Sequence, residues 1–194
     1  MENPSELLRD HLRDMLAVEN EMHAAFRRQE KDGRLRADDG AQRLVSCVEE
    51  TIDRHVKALR KCLEDAGGKE SALKMALGSV LGAAAGVYDG MRSEDPISRN
   101  LRDDYIALST ASVCYEMLHA TALAADRKAI ADLALRHLQD YAQLVMSIGD
   151  LLPHSLVREL FREGKLPDNR EAAARAVENT RKAWASGPAM TLAV

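Results

Sequence analysis

Four ionisable residues stand where apolar ones are expected: Glu19, His55, Glu116 and His137. Glu19 interrupts the stripe Leu8, Leu12, Met15, Met22, Phe26, whose steps of three and four mark one face of a helix. His55 interrupts Val45, Val48, Ile52, Leu59, Cys62, and His137 interrupts Ile130, Leu133, Tyr141, Leu144, Ile148, Leu151. Glu116 lies beside a third set, Ile106, Val113, Met117, Ala120, Leu123. An unpaired carboxylate inside a helical core costs several kcal/mol or takes up a proton, so partners are expected. Two carboxylates and two imidazoles converging from four helices are a donor set for Fe, Mn or Zn. The same groups could instead pair as Glu–His hydrogen-bonded couples without metal.

Secondary candidates stand close by. Glu116 and His119 form a Glu-x-x-His spacing, which places both on one side of a helix. Asp53 precedes His55 by two positions, and Asp140 follows His137 by three. Against each stands a plainer reading: core histidines satisfied by ordinary hydrogen bonds, and acids facing solvent.

These residues need long helices to position them. The chain has 194 residues, enough for one core, with 46% hydrophobic and only 4% aromatic residues. Such a core, built from Leu, Ala, Val, Ile and Met, suits helix-on-helix packing. The spacing predicts helices over about 4–28, 39–65, 100–125 and 127–152, the last ended by Pro153. A short helix in "SLVRELFREG" and a last one in "DNREAAARAVENTRKAWASG" follow, the latter capped by Asp168 and anchored to its neighbour by Trp184.

The expected architecture is all-α: a four-helix bundle over residues 1–152, including a glycine-rich helical crossover at 68–99, and a C-terminal helical extension at 153–194. That extension packs on the bundle or on a partner subunit. Gly78, Gly82, Gly86 and Gly90 give the crossover one face without side chains, suited to close helix contact. The uncharged run from Met75 to Tyr88 falls short of the roughly 20 residues of a membrane span. It also lacks the Lys-Ser or Lys-Thr pair and preceding strand of a phosphate loop.

Other functions are disfavoured by what the chain lacks. Basic and acidic residues number 27 and 31 and are mixed throughout, which argues against a nucleic-acid surface. Cys47, Cys62 and Cys114 contain no close pair and read as buried thiols in a reducing, cytoplasmic setting. The early charges Glu6, Arg9, Asp10 and Asp14 do not suit a secretory leader. No Gly-x-Ser-x-Gly motif marks an acyl-transfer nucleophile.

The segments "MLAVENEMHAAF", "VEETIDRHVKALRKCLEDAGGK" and "VCYEMLHATALAADR" resemble the ferritin-like, stress-associated bacterial proteins of the YciE/YciF type, over about residues 5–152. The resemblance implies a ferritin-like bundle, a crossover between the second and third helices, a homodimer and a suspected pair of metal ions. It implies Glu19 as the first-helix carboxylate, His55 as the second-helix histidine and Glu116 as the third-helix glutamate. Cys114 stands where the family usually has histidine, and the positions three before His55 and His137 are Ile52 and Ala134. In a general ferritin-like site each of those would be a glutamate. Two closely spaced ions need more carboxylates than this, so a mononuclear or degraded site is expected. Three functions follow: a ferritin-like protein with such a site and no assured catalysis, a metal-dependent oxidase activating dioxygen or peroxide, or a protein-interaction module using the glycine face and last helix.

Overall fold

A computed structural model describes residues 3–68 and 96–186, and every regular element among them is helical. Helix α1 spans Pro4–Glu30, and a single 3-10 turn, Leu35–Ala37, leads into α2, Asp39–Asp65. Then come α3, Ile97–Ala124, α4, Lys128–Arg162, and α5, Arg170–Ala185. The glycine-rich crossover expected at 68–99 falls almost wholly outside the described residues.

Local chemistry sets the helix ends. Asn3 accepts from the Ser5 backbone N–H with Pro4 in the first turn, and Asp38 accepts from Gly40 and Ala41 at the start of α2. Gly67 closes α2 in the left-handed region at φ 73°, where a side chain would be strained. The last helix is capped by Asn169, whose side chain accepts from Ala172 N–H, and not by the expected Asp168. The position of the turn selects the cap one residue later.

Helices α1 and α2 pair, as do α3 and α4, and the two pairs meet through α1 against α3 and α2 against α4. One core results. Leu12, Phe26, Val48, Ile52, Leu59, Leu108, Ala111 and Ala134 are fully or almost fully buried in it.

Four expectations of the fold are corrected. Pro153 does not end the fourth helix, so the boundary drawn between residues 152 and 153 lies inside α4. Proline there removes one backbone donor and crowds the preceding turn, a cost of about 3 kcal/mol. The turns beyond it are held by contacts that offset this. Ser155 Oγ donates to Asp38 Oδ2 at 3.0 Å, Arg158 pairs with the same carboxylate at 2.8 Å, and Ser98 N–H donates to Glu159 at 3.2 Å.

The third helix is turned away from its expected face. Ile106, Val113, Met117 and Leu123 are all exposed, whereas Leu101, Asp104, Leu108, Ala111, Tyr115, Leu118 and Ala122 are buried. Both faces carry apolar residues, so spacing alone does not choose between them. Trp184, expected to anchor the last helix, is 77% exposed. Helix α5 instead rests on α4 through buried Ala173 and the Arg181–Asp150 ion pair. Nor are the thiols buried: Cys47 is exposed and Cys62 and Cys114 are partly so.

Candidate metal centre

Each of the four long helices contributes a polar side chain to one point in the core. Glu19 of α1 is 0% exposed and His55 of α2 is 1% exposed. Helix α3 supplies Tyr115, and α4 supplies His137 and, one turn on, Tyr141, all buried. Glu19, His55 and His137 each present a ligand atom, and these atoms lie within 4.8 Å of one another.

The buried carboxylate of Glu19 is held by donors on both oxygens. Its Oε1 accepts from the Tyr115 hydroxyl and faces His55 Nδ1 at 3.2 Å, and its Oε2 accepts from the Tyr141 hydroxyl. Such charge-assisted bonds replace the water that Glu19 loses. On its other side, His55 Nε2 lies 3.1 Å from Asp140 Oδ2. Asp140 is half-exposed at the rim, with 48% of its side chain accessible.

Hydrogen-bond logic fixes the His137 tautomer. The single hydroxyl proton of Tyr115 goes to Glu19, so the Tyr115 oxygen accepts from His137 Nδ1–H at 2.9 Å. His137 Nε2 is left with its lone pair. Burial, followed by the proximity of the His55 ring, holds the His137 pKa well below the ordinary imidazole range and the ring neutral. Burial and the Glu19 charge push the Tyr115 phenol well above its ordinary value, so it remains a proton donor.

The rings are also packed against one another. His55 and His137 stack with centroids 3.7 Å apart and planes 7° from parallel, and Tyr115 meets His137 edge-on at 5.0 Å. Parallel rings hold their nitrogens in separate planes, so one ion shared by both imidazoles requires a change in ring angle.

The remaining sequence candidates lie elsewhere. Glu116 is exposed, because the rotation of α3 that buries Tyr115 turns its neighbour outward. His119 is half-buried, and its Nδ1 donates to the Ala131 carbonyl at 2.8 Å. Asp53 pairs with Lys57 on the surface. The two tyrosines are the members of the cluster that ligand chemistry alone overlooks. The spacing Asp104, Leu108, Ala111, Tyr115, Leu118, Ala122 alternates steps of four and three and is the signal that marks Tyr115.

Tyr115 bridges Glu19 and His137 by hydrogen bonds, since it donates to one and accepts from the other. Tyr115→Phe takes one of its donors from Glu19, leaves the buried His137 Nδ1–H without its partner, and is expected to lower stability by about 1–3 kcal/mol. Urea unfolding of the two proteins checks this, and coincident midpoints contradict it.

The fold and site together define an all-helical protein with a buried Glu–His–Tyr cluster where its four long helices meet. The chain belongs to the family described as the domain of unknown function DUF892, whose model matches residues 3–160. Comparison with curated proteins and with solved structures gives no match. Among the described residues no helix is long and apolar enough to cross a membrane.

Proposed function

We propose that the protein is a ferritin-like four-helix bundle carrying one divalent metal ion, held by Glu19, His55 and His137. The observation that supports this reading is the convergence of three ligand atoms within 4.8 Å inside the core. Two imidazoles and one carboxylate suit Fe, Mn or Zn. Glu19 is the one buried carboxylate in the cluster among the described residues, which argues for one ion, since a second would add repulsion that no other buried acid beside it offsets. Asp140, bonded to His55, and the two tyrosines, bonded to Glu19, would orient the ligands as outer groups do in metal sites.

Such an ion would supply Lewis-acid or redox chemistry with coordination positions left open. An oxidase acting on dioxygen or peroxide is the enzymatic form of this reading. The neutral His137, with Nδ1–H engaged and Nε2 unprotonated, is in the form that can act as a ligand. The stress-associated role, the homodimer and the cytoplasmic location rest on the sequence resemblance and composition alone.

Calorimetric titration of chelator-treated protein with Fe(II), Mn(II) and Zn(II) under anaerobic conditions tests the proposal. One equivalent per chain is expected for at least one metal, with affinity reduced 100-fold or more in His137→Ala. Equal binding by wild type and variant would overturn it, as would no saturable binding.

A further inference from the structure

Four cations far apart in sequence come together at one cavity: Arg9 of α1, Lys61 of α2, Arg127 just before α4, and Arg136 within α4. The cavity has a volume of about 610 Å³, within the range of small-molecule sites. Asp65 is the one carboxylate lining it, and it is already bonded to Lys61 at 3.3 Å. Arg127 reaches Ser5 Oγ at 3.4 Å, whereas Arg9 and Arg136 make no ion pair among the described residues. A solvated helical surface mixes its signs, as this chain does overall with 27 basic and 31 acidic residues. Here the balance is four to one.

The cavity floor is different in kind. Leu8, Ile130 and Leu133 line it from α1 and α4, with Ala58 from α2. Together these surfaces offer a concave apolar bed with guanidinium groups at the margin. Guanidinium forks match the two oxygens of a carboxylate or phosphate, and an apolar bed removes hydrocarbon from water.

We propose that this cavity binds a small organic anion with an apolar body, its headgroup held by Arg9 and Arg136 and its hydrocarbon on Leu8, Ile130 and Leu133. The site is separate from the Glu19 cluster. Its apolar floor on α4 lies one to two turns before His137, and the exposed Arg136 directly precedes that buried ring, on the same three helices that carry Glu19, His55 and His137.

Decanoate is the probe, titrated into the full-length protein by calorimetry, with 1-decanol as the uncharged control. Saturable binding of decanoate is expected, weakened at least tenfold in the double variant R9Q/R136Q and not matched by decanol. Both substitutions are at the surface, and the thermal midpoint of the variant shows that it is folded. Absence of saturable decanoate binding would overturn the proposal, as would equal affinity in wild type and R9Q/R136Q. Loss of binding in Trp184→Ala but not in R9Q/R136Q would also overturn it, because the anion would then occupy the groove beside α5.

Discussion

Glu19→Ala is expected to lower the free energy of unfolding by about 3–5 kcal/mol, the cost of removing one partner from a buried charged network. The side chain is 0% exposed and accepts from Tyr115 and Tyr141 while facing His55. Alanine removes the shared acceptor of both tyrosine hydroxyls and the carboxylate facing His55 Nδ1 inside the core. It also opens a cavity that the surrounding Met and Leu side chains fill only in part. Glu19→Gln separates the two roles of the residue. Glutamine keeps the volume and one acceptor oxygen, so the stability loss is expected to be smaller, about 1–3 kcal/mol. It removes the charge that would hold a cation, so metal binding should fall as far as in the alanine variant. Chemical denaturation of the three proteins checks the order, and a Glu19→Ala protein as stable as wild type would contradict it.

The second large effect lies away from the cluster. Asp104 is almost completely buried on α3, where Gln29 Nε2 donates to its Oδ2 at 2.8 Å. Its Oδ1, like Gln29 Oε1 and Asn100 Oδ1, has no partner among the described residues. Burial raises its pKa from 3.8 to about 8, with the Gln29 bond pulling the other way and Asp103 adding to the rise. The folded state therefore holds this proton between about pH 4 and 8, while the unfolded chain has lost it. Stability falls as pH rises through that window, because the folded state binds more protons than the unfolded one. The contribution is fully present below the unfolded value and is lost by about pH 8. The full difference is on the order of 5 kcal/mol.

Asp104→Asn removes this titration and keeps the acceptor for Gln29. The variant is expected to gain on wild type steadily from pH 5 upward and to exceed it by several kcal/mol near pH 8. The difference between the two stability–pH curves isolates Asp104 from the other carboxylates. Parallel curves would contradict the assignment.

How far the sequence reveals this molecule depends on how one-sided each helix is. In α1 the apolar residues lie on a single face, so an acid at position 19 had to be inside, and it is. His55 and His137 are legible for the same reason. Helix α3 carries Ile106, Val113 and Met117 on one side and Leu101, Leu108 and Leu118 on the other. Charge does not decide between them, because Asp103 and Asp104 lie on the buried side. The choice is made by the neighbours: Glu19 and His137 need Tyr115, and Gln29 needs Asp104. Those are contacts between residues 75 or more positions apart for Gln29 and Glu19, and no local window contains them.

Pro153 gives the same lesson at the level of secondary structure. Its local preference is to stop a helix, yet α4 continues to Arg162 because Asp38 and Ser98 engage the turns beyond it. Trp184 fails in the opposite sense. A large aromatic side chain suggests an anchor, but α5 is held by Ala173 and Arg181, and the indole stays in solvent.

The proposed function requires that the core cluster take an ion. Crystals of the protein equilibrated with Fe(II), Mn(II) or Zn(II) allow an anomalous difference map at the absorption edge of each metal. The predicted result is one peak per chain between the side chains of Glu19, His55 and His137, with the two imidazole rings turned out of their parallel stack. A map with no peak in the core for any of the three metals, and the rings still stacked, would contradict it.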